Sequence, residues 1–427
     1  MNKALLCVIS VLMLTLMVGL AACPRAAGGE LLQSEEPRET APEVSASDGA
    51  TLVEGNSAFA FDLYQELKDE EGNLFYSPYS ISLALAMTYG GARSETEEQM
   101  ANALRFSLSQ NQLHPAFNAL ALELDSRGEG AEGKDDEGFR LNVVNAIWGQ
   151  LDYEFLNDFL DLLAVNYGAG LRVLDFIGAT EESRVTINDW VSDQTEGRIE
   201  DLIPAGLISP LTRLVLTNAI YFNAAWEYPF EEDMTEDGIF HLLDGGEVTV
   251  PMMRQTESFG YAEGDGYQAV ELPYDGGELS MVILLPASGQ FEAFEETLDA
   301  AQVDGIIGSL EHRQVSLTMP KFEFDSSFSL RDTLSAMGMP VAFSMSADFS
   351  GMTVNPELFI AEVVHKAFVS VDEAGTEAAA ATAVVMVPIA MPPEPAEVTI
   401  DRPFIFLIRD IETGAILFVG RTLDPSA

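Results

Sequence analysis

Cysteine is scarce in this chain: of 427 residues only Cys7 and Cys23 carry a thiol. Cys7 lies in a leading apolar run of signal-peptide type, so removal of that run leaves one thiol and no disulfide. That remaining thiol sits at the cleavage point, which excludes cysteine catalysis by the rest of the chain. The four histidines, His114, His241, His312 and His365, stand far apart without metal-ligand spacing, and each reads as structural. The G-x-S-x-G elbow, the phosphate-cradling glycine loop and the H-E-x-x-H motif are all missing. A hydrolase would need a triad that the sequence does not reveal. Glu231 and Glu232 sit in an acid-rich stretch and read as solvated surface. Positive charge is the other shortage, with 21 Lys and Arg against 69 Asp and Glu and a formal net charge of −48. Nucleic-acid phosphates would repel such a chain, and anionic bilayers are disfavoured for the same reason. These absences point away from an enzyme, a metal, a cofactor and a nucleic-acid partner.

What is present is enough apolar residue, 47% with 9% aromatic, to fold and bury a large core. Residues 1–22 have the pattern of an export signal: Lys3, an apolar run, then small residues. They end in Leu20-Ala21-Ala22-Cys23, which resembles the bacterial lipobox, in which the cysteine is lipidated. The expectation is a chain lipid-anchored through Cys23 on the outer side of a bacterial membrane, with plain secretion as the alternative. Residues 23–50, rich in Pro, Gly, Ser and Glu, read as a flexible tether with a mean reach of roughly 30 Å. A single folded domain is expected over 51–427, as a monomer.

Within that domain Asn56–Lys68 has helical apolar spacing, and Ser77-Pro78 opens a second helix that Gly90-Gly91 closes. Ser94-Glu95-Thr96-Glu97 resembles a capping box before a third. Strand-like runs follow at 141–149, 213–222, 268–274, 279–286 and 315–324, then at 367–373, 403–410 and 416–423. Helices lead and strands dominate later without strict alternation, so the class reads as α+β.

One segment fits neither core nor ordinary loop. Residues 373–395, EAGTEAAAATAVVMVPIAMPPEP, join an uncharged small and β-branched run to a proline cluster. As a strand it alternates faces. Thr376, Ala378, Ala380, Thr382, Val384 and Met386 share a face without charge, and Glu377 lies on the other. Prolines from Pro388 onward would stop its ladder.

EAGTEAAAAT resembles the hinge of the serpins, the serine protease inhibitors. The likeness extends over nearly all of 51–425. NLFYSPYSISLALAMTYGGA is similar to an early family helix, and NDWVSDQTEGRI, from Asn188, to the N-x-W-V…T-x-G-x-I signature. LTNAIYFNAAWEYPF, VPMMRQ, MPKF and DRPFIFLIRD…ILFVGR fall in family order. Asn223 and Ala225 depart from it, standing where relatives often carry lysine.

The resemblance implies a helical cluster around three β-sheets, with an exposed reactive-centre loop at about 373–398. It assigns the hinge to Glu373, Gly375, Thr376, Glu377, Ala378, Ala379, Ala380, Ala381 and Thr382. The scissile bond falls at Ile389-Ala390, with Met386 and Met391 as alternatives. Ser77, Ser80, Asn218 and His365 match a polar cluster beneath the central sheet. Trp226 and an exposed Glu373–Lys321 pair match the point of loop entry. The implied function is suicide-substrate inhibition of an elastase-like or subtilisin-like serine protease. The cut loop would insert into the sheet and hold the enzyme in a covalent one-to-one complex. A non-inhibitory scaffold and a cysteine-protease inhibitor are the alternatives.

Overall fold

The computed structural model describes residues 29–128, 140–355, 357–376 and 394–427. The chain begins with β1 (Glu30–Leu32), α1 (Ala46–Leu67), β2 (Leu74–Tyr76), α2 (Pro78–Tyr89), α3 (Ser94–Ala103) and α4 (Gln110–Asp125). Then come β3 (Arg140–Gln150), α5 (Asn157–Tyr167), β4 (Leu171–Leu174), α6 (Thr180–Gln194) and β5 (Leu214–Ala225). The strands β6 (Glu236–His241), β7 (Glu247–Gly264), β8 (Tyr267–Pro273) and β9 (Leu279–Pro286) precede α7 (Phe291–Glu296) and α8 (Ala300–Ile307). Beyond them lie β10 (Glu311–Pro320), β11 (Phe322–Ser329), α9 (Arg331–Ala336), β12 (Glu362–Val371) and β13 (Gly375–Thr376). The chain closes with β14 (Ala396–Thr399), β15 (Phe404–Asp410) and β16 (Ile416–Thr422).

Among the described residues these strands form two sheets. The central one runs β1-β4-β3-β5-β13-β12-β11, and the other runs β14-β10-β7-β8-β9-β15-β16-β2 with β6 beside β7. The class is α+β. Two of the three expected sheets run into one, because the 18-residue β7 pairs with β6 at its start, with β10 from Met252 to Tyr261 and with β8 at its end. The main core lies between the sheets and the helices, with Phe75, Phe222, Phe406 and Phe418 at its centre. A second core sits on the opposite face of the central sheet, where Ile187 and Val191 of α6 cover Trp148, Ala219 and Val364. Strand β5 is therefore buried on both faces and nearly end to end, which is why its sequence is apolar without alternation.

Some expectations fail for identifiable reasons. The tether does not extend to residue 50. From Glu30 the chain pairs with the free edge of β4, and Arg38 donates to Asn118 while facing Asp125. The backbone of Glu39 bonds both the Val165 carbonyl and the Asn118 amide. A three-residue strand is too short to show periodicity, so only its neighbours reveal it. Helix α1 also begins ten residues before Asn56, at Ala46, where Ser45 accepts from the Asp48 amide as its cap. At α3 the capping box is absent: Ser94 has φ +56° and its hydroxyl donates to Asp348 instead. The run 315–324 is two strands, parted at Lys321, whose amide bonds the Pro251 carbonyl.

Strand β16 shows how tightly the second sheet is filled. Gly420 faces Phe406 on one side and Phe75 on the other, and a Cβ there would come within 2.2 Å of the Phe406 ring. Gly420→Ala should destabilise the fold by about 1–3 kcal/mol through overpacking. A urea-unfolding midpoint equal to the parent's would contradict this.

Candidate functional site

Where the hinge enters the central sheet, two residues are already strand. Gly375 lies opposite Ala225 and Thr376 opposite Ala224 on β5, while Thr376 also faces Val371 on β12. The expected free loop is thus paired at its first residues. Position 375 has to be glycine, because a Cβ would sit 2.2 Å from the Ala224 carbonyl oxygen. Thr376 is fully buried and shares a 2.9 Å hydrogen bond with the Tyr274 hydroxyl. Burial pushes the Tyr274 phenol far above its ordinary range, so the hydroxyl keeps its proton.

Below this point β5 meets β12 directly, in parallel, from Phe368 opposite Tyr221 to Glu362 opposite Val215. The approach to β13 is held by several bonds. Trp226 stacks on Tyr274 with ring centroids 4.7 Å apart, and its indole N–H donates to the Asp372 carbonyl. The backbone amides of Trp226 and Phe230 donate to the carbonyls of Ala374 and Glu373. Lys321 Nζ lies 2.7 Å from Glu373 Oε2, and Thr235 donates to Oε1 at 2.7 Å. The pair is not the exposed one expected, since Glu373 is buried while Lys321 is partly open. Burial pulls the Glu373 carboxyl up, but the bonds from Lys321 and Thr235 outweigh it and hold the group below its ordinary value. The latch is therefore charged at neutral pH and lost only as pH falls through that depressed value.

Seven residues further along β5 lies the polar cluster. Asn218 and His365 are direct partners across the β5–β12 ladder. His365 Nδ1 donates to Asn218 Oδ1, and its Nε2 accepts the Ser77 backbone N–H at 3.2 Å. The Asn218 amide donates to Ser80 Oγ and to Asn145 Oδ1. Ser77 itself caps α2 by accepting from the Ser80 amide, with Pro78 in the first turn as its sequence demands. Burial lowers the His365 pKa to about 3. The partners demand the same neutral form, because protonated Nε2 would confront the Ser77 donor.

The structure thus groups Ser77, Ser80, Asn218 and His365 in one cluster, and Trp226, Lys321, Glu373, Gly375 and Thr376 in another. Glu377, Ala378, Ala379, Ala380, Ala381, Thr382, Ile389 and Ala390 lie outside the described residues, as do Cys23 and the signal segment. Three members escaped the sequence: Asn145, Thr235 and Tyr274. Asn145 had a readable signal, a polar residue in the inward register of Val143, Asn145 and Ile147. The other two come from distant loop and strand ends and carried none. Among the described residues no cluster could hold a metal ion and no helix is long and apolar enough to cross a membrane.

Comparison with known proteins gives a consistent result. The family model described as serpin (serine protease inhibitor) matches residues 54–425. An uncharacterized serpin-like protein of Thermococcus kodakarensis is 44% identical over 376 residues, covering 88% of this chain and 86% of that one. The leukocyte elastase inhibitor of Sus scrofa is 40% identical over 385 residues, covering 88% and 99%. Among solved structures, the thermophilic serpin tengpin in its native state superposes with a TM-score of 0.82 at 29% identity, covering 93% of this chain and 99% of tengpin. Uncleaved ovalbumin gives 0.78 at 27% identity, covering 88% and 100%.

Because His365 is neutral when folded and chargeable when unfolded, acid favours the unfolded chain. Its contribution is complete above its ordinary value of 6.5 and declines below it towards about 3. The slope it adds is up to about 1.4 kcal/mol per pH unit. A His365→Gln variant should show a flatter loss of unfolding free energy between about pH 6.5 and 4.5 than the parent. Parallel profiles would mean that His365 is not held neutral in the fold.

Proposed function

The chain belongs to the serpin family, and from that premise we propose that it is an irreversible suicide-substrate inhibitor of serine proteases. The observation that carries this is β13, two hinge residues seated between strands that are otherwise joined to each other. Insertion would replace one parallel ladder by two antiparallel ones, and antiparallel pairing is also slightly the stronger per residue. The uncut state is then metastable, held by a barrier.

The register of β13 supports the path. Continued along both neighbours, it would put Ala378 between Phe222 and Val369, and Ala380 between Ile220 and Ala367. Thr382 would arrive between Asn218 and His365, and its hydroxyl could bond to the cluster that has to part. That face is the buried one, as Thr376 already is. The opposite face would place Ala381 beside Ala219 and Ala383 beside Val364, both in the core beneath α6. Both faces of the incoming strand would thus be covered, a physical reason for alanines on each. Glu377 would lie at the rim between Asn223 and Ser370, before the covered part begins.

The target is an elastase-like or subtilisin-like protease cut-site partner at Ile389-Ala390, with Met386 or Met391 as other positions for the bond. The leukocyte elastase inhibitors among the relatives support this choice. The protein acts as a monomer that forms a covalent one-to-one complex and performs no catalysis of its own. Lipidation of Cys23 would place it on the outer side of a bacterial membrane.

Mixed with elastase, the chain from Cys23 onward should give a band of the summed mass that survives denaturing electrophoresis. Cleavage without such a band across a panel of elastase-like and subtilisin-like enzymes would favour the scaffold reading. Ala380→Arg should turn the inhibitor into a substrate, since insertion would bury its guanidinium between Ile220 and Ala367 at a cost of several kcal/mol. Full inhibition by that variant at the parent's stoichiometry would rule out insertion. For the anchor, full-length protein should partition with membranes and Cys23→Ser should not; equal partitioning would remove lipidation from the account.

A further inference from the structure

The docked N-terminal segment fixes where the chain leaves the fold, and that place can be located against the hinge by strand register. Glu30 faces Val173 on β4, Val173 faces Gly149 on β3, and Gly149 faces Leu214 on β5. Leu32 reaches Leu216 by the same route. Strand β1 therefore runs towards the hinge, and the chain before it points away. The hinge pairs at Ala225, eleven residues beyond Leu214 along β5, or roughly 36 Å at about 3.3 Å per residue. The C-terminus is at the opposite place: Ala427 lies beside Lys321, Ser370 and Asp372, and the Asp372 amide bonds the Gly375 carbonyl.

We propose that docking of residues 30–39 turns the reactive loop away from any surface that holds the N-terminus, so that an anchored molecule captures proteases arriving from solution. The slack is small. From Glu30 back to Cys23 there are seven residues, about 25 Å when fully extended, where an undocked tether to residue 50 would be several times longer. The net charge of −48 works in the same direction, because an anionic surface repels the domain and disfavours its lying flat. Segment 33–39 secures the geometry, for Ser34 donates to Asp161 of α5 and Arg38 to Asn118 of α4. The class of partner is thereby restricted to soluble proteases, and enzymes working close to the anchoring surface escape.

The inference rests on the loop between Thr376 and Glu394 being the one that proteases cut. It does not need native lipidation, because Cys23 is the only thiol of the chain from Cys23 to Ala427 and can be joined to vesicles bearing maleimide lipid. The counterpart is Cys23→Ser with a cysteine appended after Ala427, joined to the same vesicles. The measurement is the rate at which soluble elastase cleaves the loop, which an inhibitor and a mere substrate both undergo. The N-linked protein should be cleaved within about twofold of the free protein, and the C-linked one about fivefold or more slowly, as encounter is obstructed. Equal rates for the two attachments, or a slower N-linked protein, would overturn the inference. Absence of a covalent band in the same reactions would bear on inhibition alone.

Discussion

The parallel pairing of β5 with β12 is the constraint on which the rest depends. It closes the central sheet along seven residue pairs, yet at its upper end two hinge residues already stand between the same strands. Under the proposed insertion, two arrangements would compete for the same backbone donors and acceptors. In one the strands satisfy each other; in the other a third strand satisfies both. A fold that held the first while carrying the sequence for the second would be governed by a barrier as much as by its lowest free energy.

The two polar clusters sit where that barrier would be crossed. At the entry, Glu373 is fixed by Lys321 and Thr235, and Thr376 by Tyr274. Halfway down, a neutral histidine and an asparagine join the two strands to the start of α2. Each group is satisfied only through partners on other elements, so moving one strand strands several polar atoms at once. A network of this kind holds a closed sheet firmly against small displacements and can release it as a unit.

The N-terminal segment adds a different kind of control, over direction. By capping the free edge of β4 it removes an exposed sheet edge and settles from which end of the molecule the chain departs. Strand β1 begins at the end of the central strands opposite the hinge, and the C-terminus lies at the hinge end. Under the proposed anchoring, position along one strand would separate attachment from recognition.

Much of this was legible in the residues. The apolar run of β5 and the Ser77-Pro78 helix start follow from local physics, because periodicity and capping act over a few positions. The glycine at 375 and the histidine at 365 could be singled out by their motif. What the residues could not decide was contact at a distance. That Glu30–Leu32 is a strand, that Glu373 is buried, that Thr376 is already paired, and that Thr235, Tyr274 and Asn145 complete the clusters all depend on partners dozens to hundreds of positions away. Sequence set which segments could be strand and which faces could be buried; tertiary packing chose which edges were left to receive them, since a backbone hydrogen bond is satisfied by whichever chain the fold brings within reach.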